Sequence, residues 1–169
     1  MLFSEGINKA LDECLKSPEV ILSGQLVNYG HSALTRGLER KYPNQVITYP
    51  VAENLMNSSA LGLSLAGKRP IVLHERFDFA IVGMDALVNH IPIWRKKCPS
   101  LKVPLVMLIV VGHGKGQGPQ QNKDFTNWFR QMDGWRVYEP LWPGEAYEYL
   151  KQAVFRNSPS MFIVHREFY

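Results

Sequence analysis

Apolar positions along this chain fall into short continuous runs separated by stretches with helical spacing. Ile7, Leu11, Cys14 and Leu15 recur three and four residues apart, so residues 4–17 read as an amphipathic helix that Ser17-Pro18 stops. Val20 to Ser23 forms a short strand, and the loop GQLVNYG leads to a predicted helix over about 31–41. Val46 to Tyr49 is the second strand. A helix over 53–66 places Leu55, Met56, Ser59, Ala60 and Leu63 on one side, and Gly67 ends it in the left-handed position that glycine adopts without steric cost. Ile71 to His74 is the third strand, followed by a predicted helix at about 79–91. Pro104 to Val111 is apolar at successive positions, as a central parallel strand buried on both faces should be. A glycine-rich loop and a helix at about 123–132 follow. Trp135 to Tyr138 and Met161 to His165 flank a last helix at about 144–155.

Strand and helix therefore alternate from end to end. That alternation implies an α/β fold, a three-layer sandwich with a mostly parallel sheet of about six strands covered on both faces. Ligands of such sheets bind beyond the carboxyl ends of the strands. The loops expected there are Gly24 to His31, Pro50 to Glu53, His74 to Phe79 and Gly112 to Asn122, and they hold most of the unusual residues.

Composition narrows the picture modestly. A chain of 169 residues with 46% hydrophobic and 20% charged residues suits one domain with an adequate core. The net charge of +4 is scattered (Arg36, Arg40, Lys41; Lys68, Arg69; Arg95, Lys96, Lys97), so no basic stripe points to nucleic acid. The longest apolar run, Val103 to Val111, is too short to span a bilayer. Cys14 and Cys98 lack metal-type spacing and read as free thiols of a reducing compartment. MLFSEGINKALDECL is amphipathic and acidic, unlike a secretory leader, and a cytoplasmic location is expected.

Four features carry candidate chemistry. Glu53 opens a helix, where the dipole alone would stabilise a carboxylate by a few tenths of a kcal/mol. Val51, Ala52, Leu55 and Met56 offer it few polar partners, and a carboxyl in a dry niche can keep a proton and pass it to a heterocycle nitrogen. Phe77 and Phe79 follow the third strand; they either fill the core or offer a face to a flat ring. The run Gly112-His113-Gly114-Lys115-Gly116-Gln117-Gly118 matches neither a Walker A loop nor a dinucleotide turn, and it marks a mobile loop or a close backbone approach. His31, His74, His90, His113 and His165 show no metal-ligand spacing, although His74 and His113 lie in sheet-end loops.

Taken in order, these segments resemble the β subunit of 2-oxo acid dehydrogenases in its pyrimidine-binding, transketolase-like domain. INKALDECL resembles that family's opening helix, TYPVAEN its catalytic strand end, and ALGLSLAGKRPIV its glycine-capped helix and next strand. FDFAIVGMDALVNHI resembles its aromatic turn, and KVPLVMLIVVGHGKGQGPQQ its central strand and glycine loop. The resemblance implies a thiamine diphosphate-binding fold over residues 1–169, with no diphosphate-binding domain and no C-terminal transketolase domain. It implies that Glu53 contacts the aminopyrimidine of thiamine diphosphate and drives the tautomer that removes the thiazolium proton. By the same resemblance Phe79 stacks on the aminopyrimidine, Val51 lines the pocket, and Gln25, His74, His113 and Gln121 line the active site.

Departures from the family pattern shape the expected function. The family's glycine loop ends in Gln-His, where this chain has Gln120-Gln121; that histidine is tied to acyl transfer onto a lipoyl carrier. The family has an acid where Gln25 stands, linking paired active sites. The chain ends where the family's C-terminal domain would begin, so docking to a dehydrogenase core is not expected. No GDG motif occurs, so Mg²⁺ and the diphosphate would be held by a separate subunit carrying GDG…N, in an α2β2 heterotetramer. The expected activity is non-oxidative decarboxylation or carboligation of 2-oxo acids or ketols. The alternatives are a truncated β subunit of an oxidative dehydrogenase and a non-catalytic scaffold or regulatory subunit. Association is expected in each case, since Ile91, Ile93, Trp94, Trp128, Phe129, Trp142 and Tyr149 are much apolar surface for one small domain to hide.

Overall fold

Six strands form one sheet in the order β2-β1-β3-β4-β6-β5, and every pairing is parallel. In this computed structural model, which describes residues 1–29, 33–112 and 118–168, they are β1 (Val20–Gly24), β2 (Val46–Thr48), β3 (Arg69–His74), β4 (Val106–Val111), β5 (Arg136–Tyr138) and β6 (Ser160–His165). The helices are α1 (Phe3–Cys14), α2 (Leu38–Lys41), α3 (Glu53–Leu65), α4 (Phe77–Ala80), α5 (Trp94–Lys97), α6 (Thr126–Gln131) and α7 (Pro143–Phe155).

The period-two alternation of the central strands divides the core into two layers. Val106, Leu108 and Val110 of β4, with Phe162 and Val164 of β6, face Ile7, Leu11 and Cys14 of α1 and Leu150 of α7. Met107, Ile109 and Val111, with Met161 and Ile163, face the opposite way, toward Met56 and Ala60 of α3, Phe77 of α4 and Phe129 of α6. Burial pushes the Cys14 thiol up to about 12, so it stays protonated in the first layer. Both cysteines are free.

Helix α3 carries the candidate acid and ends in a Schellman turn. Gly67 sits at φ +87°, its N–H bonds Ser64 O at 3.1 Å, and Lys68 N–H bonds Leu63 O at 2.9 Å. Its buried stripe is Met56, Asn57, Ala60, Leu61 and Ser64. The spacing predicts a face about one residue away, with Leu55 on it, whereas Leu55 faces solvent. The offset arises because this helix buries the polar side chains of Asn57 and Ser64 in place of Leu55 and Leu63.

Two helices are shorter or more broken than their spacing predicts. Of the predicted helix over 31–41, the described residues show only Leu38–Lys41 as helical, because Gly37 takes φ +81° and leaves the right-handed basin. The segment after β3 starts its helix at Phe77, passes through a 3-10 turn at Ile81–Gly83, and widens to a π turn at Ala86–His90. A Cβ at Gly83 would collide with the Asn57 amide and stand 3.0 Å from Asn54 Cα, so this segment is packed directly on the first turn of α3.

The proposed association residues divide. Ile91 and Phe129 are fully buried core, Trp128 and Trp142 are largely exposed, and Ile93, Trp94 and Tyr149 are half-buried. Among the described residues no helix is long and apolar enough to cross a membrane.

Candidate active site

β1 and β3 are neighbours in the sheet, yet the chain leaves β1 toward β2 on its other side. Connections diverge at that point, and a crevice opens beyond the carboxyl ends of the strands. A cleft of about 220 Å³ lies there, lined by Gln25 and Leu26 after β1, Met56 of α3, Leu73 and His74 at the end of β3, Glu75 and Arg76 after it, Phe79 of α4, Gln121, and Arg166 after β6. Gly24 allows the tight exit from β1: a Cβ there would stand 2.7 Å from Leu73 O.

Glu53 is half-buried at the start of α3, beside this cleft. Gln25 Nε2 donates to Glu53 Oε1 at 3.0 Å and also approaches Met56 Sδ at 3.8 Å, so the carboxylate is tied to a residue of the cleft wall. The dry niche expected from the flanking sequence is not complete within this chain. Val51 is 82% exposed and Leu55 faces outward, while Gln25 provides the polar partner that the local sequence lacked. Val51 is not among the residues that line the cleft.

The two phenylalanines separate cleanly. Phe77 is fully buried, stacked on Phe129 and edge-on to Phe125, with centroids 5.6 Å away in both cases. Phe79 is half-buried in the cleft and, among the described residues, pairs with no other ring.

His74 ends β3 and is buried at the base of the cleft. Its Nε2 lies 2.7 Å from Asn57 Oδ1, while Asn57 Nδ2 donates to Ala80 O at 3.0 Å and Gly83 O at 3.3 Å. Both amide hydrogens are thereby committed, so Asn57 Oδ1 is the acceptor and His74 Nε2 carries the proton. Burial pushes the imidazole down to about 4, which keeps it neutral near pH 7. Gln121 lies in a short turn, Pro119–Gln121, whose exit is tethered to α4 by Lys123 N–H donating to Asp78 Oδ2 at 3.1 Å. His113 lies outside the described residues.

Thus Gln25, His74, Phe79 and Gln121 line one cleft and Glu53 is joined to it through Gln25. Sequence reasoning missed Asn57, Arg76 and Arg166. Asn57 stood among small helix residues, and both arginines belong to loops whose direction no periodicity sets. A flat, amine-bearing heterocycle fits this donor set, since the amide that holds the Glu53 carboxylate lines the same cleft as Phe79, which among the described residues pairs with no other ring.

The transketolase pyrimidine-binding domain, as a family, matches residues 1–169. Pyruvate dehydrogenase E1 component subunit beta-2 of Oryza sativa subsp. japonica is 28% identical over 174 residues, covering 100% of this chain and 46% of that protein. The acetoin:2,6-dichlorophenolindophenol oxidoreductase subunit beta of Cupriavidus necator is 28% identical over 177 residues, covering 96% of this chain and 52% of that one. The chain thus spans about half the length of these relatives. Among solved structures, a split gene transketolase, described as an inactive beta4 tetramer, superposes with a TM-score of 0.79 at 19% identity, covering 98% of this chain and 52% of that one. That likeness speaks for the fold. With a family match across its full length and a six-stranded parallel sheet that opens a cleft at its switch point, the chain belongs to the transketolase pyrimidine-binding domain family.

Proposed function

We propose that this chain is the pyrimidine-binding subunit of a thiamine diphosphate-dependent enzyme that decarboxylates or ligates 2-oxo acids or ketols without oxidation. One observation carries the reading: the Glu53 carboxylate is held 3.0 Å from Gln25, which lines a cleft together with Phe79, a ring that pairs with no other among the described residues. Thiamine diphosphate, when bound, supplies an electron sink for carbanion chemistry at a carbonyl. This chain's share is positioning and proton handling. Glu53 holds and passes a proton at the ring nitrogen, and Phe79 offers a stacking face that contributes about 0.5–1.5 kcal/mol beyond area burial. Gln25 orients the carboxylate. Neutral His74 adds no charge to the cleft floor.

In this reading the diphosphate and its Mg²⁺ fall to a separate subunit carrying GDG…N in an α2β2 assembly, a division supported by relatives named as beta subunits. Leu26, Val51, Leu55 and Val82 are exposed apolar side chains in or near the loops and turn around Glu53, and a second chain laid over them would complete the dry niche. The relatives named as pyruvate dehydrogenase subunits favour a second, oxidative reading, whereas Gln121 at the place of the family's histidine favours the non-oxidative one.

The test combines this chain with its co-purifying partner, thiamine diphosphate, Mg²⁺ and pyruvate. A free aldehyde or acyloin without any lipoylated carrier supports the proposal. Product only with the carrier transfers the assignment to the oxidative reading. A complex that binds no cofactor removes catalysis altogether.

A further inference from the structure

Leu26, the second residue after β1, has a φ of +55° and is the only residue other than glycine with a positive φ among the described residues. The left-handed region brings a Cβ against the backbone, so glycine, asparagine or aspartate is its usual occupant and a leucine is rare there. The chain on either side is fixed. Before Leu26, Gly24 O accepts from Tyr49 N–H at 3.0 Å, and the Gln25 amide is bonded to Glu53. After it, Val27 is buried in the core, and its carbonyl accepts from Thr35 Oγ1 at 3.3 Å. The turn at Leu26 therefore lets Gln25 reach α3 while the next residue enters the core.

Glycine would make that turn at lower cost. The leucine side chain gives the folded chain little in return, because it is 51% exposed and belongs to neither core layer. Of the four exposed apolar side chains around Glu53, only Leu26 also lines the cleft; Val51, Leu55 and Val82 do not. The other apolar lining residues are Met56 and Leu73, both buried, and half-buried Phe79. A strained residue, clamped by its neighbours and presenting an apolar side chain to a cleft, is a contact set in place before its ligand arrives. The cleft, at about 220 Å³, is smaller than the roughly 300–1,000 Å³ that encloses a whole drug-sized molecule, so it receives one ring system and not an entire cofactor.

We infer that Leu26 is a contact residue for the bound heterocycle, an apolar clamp held in position at a cost to folding stability. That the ring is the aminopyrimidine of thiamine diphosphate rests on the proposed function. Leu26 directly follows Gln25, whose amide holds the Glu53 carboxylate, so the clamp and the proton-handling group meet the same end of the ligand.

The experiment compares the unaltered chain, Leu26→Gly and Leu26→Met in three measurements: urea unfolding of the chain, sedimentation of its complex with the co-purifying partner, and calorimetric titration of that complex with thiamine diphosphate in the presence of Mg²⁺. Leu26→Gly should unfold at an equal or higher urea concentration and assemble as the unaltered chain does. It should nevertheless bind the cofactor about five- to tenfold more weakly, whereas Leu26→Met keeps the affinity within about twofold. A clearly lower urea midpoint for Leu26→Gly assigns the side chain to the fold, and weaker assembly assigns it to the subunit interface; either result overturns the inference. Cofactor binding that is normal in the unaltered complex and equally tight with Leu26→Gly overturns the clamp alone. An unaltered complex that binds no thiamine diphosphate overturns the proposed function, and the clamp with it.

Discussion

Gln25 Nε2 donates a hydrogen bond to Glu53 Oε1 at 3.0 Å, joining the end of β1 to the first turn of α3 across 28 residues of sequence. The resemblance puts an acid where Gln25 stands. An amide can donate to the carboxylate and does not titrate, so it holds Glu53 in one orientation without adding a second negative charge. Gln25→Leu should slow cofactor ring-proton exchange about five- to tenfold, corresponding to the loss of one part-buried hydrogen bond of about 1 kcal/mol, while denaturant midpoints move little. Exchange unchanged in this variant would deny Gln25 an orienting role.

The His74–Asn57 pair should make stability depend on pH. The folded imidazole titrates near 4 against an ordinary value of 6.5, because burial disfavours its charged form. Below 6.5 the unfolded chain binds a proton that the folded chain refuses. The stabilisation is therefore complete above about 6.5 and is lost progressively as the pH falls toward 4, in total on the order of 3 kcal/mol. Urea unfolding across that range should show the slope, and His74→Phe should remove most of it.

Asn57 connects that histidine to the segment after α4. Asn57→Leu would leave His74 Nε2–H, Ala80 O and Gly83 O without their partner, and should cost about 2–4 kcal/mol in chemical denaturation. Gly83→Ala should cost about 1–3 kcal/mol and disturb Glu53 as well, since its Cβ would stand 3.1 Å from Glu53 O. A neutral Gly83→Ala would mean that the contact between this turn and α3 is loose.

Phe77 and Phe79 should respond oppositely to truncation. Phe77→Ala removes a fully buried ring stacked on Phe129 and should destabilise the fold by about 3–5 kcal/mol. Phe79→Ala, at a half-buried site with no ring partner among the described residues, should cost less stability yet weaken thiamine diphosphate binding by the reconstituted complex about tenfold. Equal stability losses with unchanged cofactor affinity would contradict the separation of roles.

Much of this was legible in the chain itself. The two-sided apolar run at Val106–Val111 announces a central parallel strand, and Gly67 announces the end of α3, because burial and left-handed backbone each leave a local signature. The helix predicted over 31–41 failed at Gly37, where one positive φ outweighed an acceptable spacing. Glu53 and Phe79 could be singled out from local context and family pattern, yet the partner that orients the acid could not. Gln25 and Glu53 are brought together by the β1–β3 switch point, a tertiary relationship without periodicity. Arg76 and Arg166 share this origin: one cleft collects them from the middle and the end of the sequence.

The most direct measurement is exchange of the thiazolium ring proton, followed by NMR in the cofactor-loaded complex of this chain with its partner. With Glu53→Gln the exchange should slow by about 10²–10⁴-fold while thiamine diphosphate still binds. Exchange at the unaltered rate in the Glu53→Gln complex would contradict the assignment of Glu53 as the group that handles the proton.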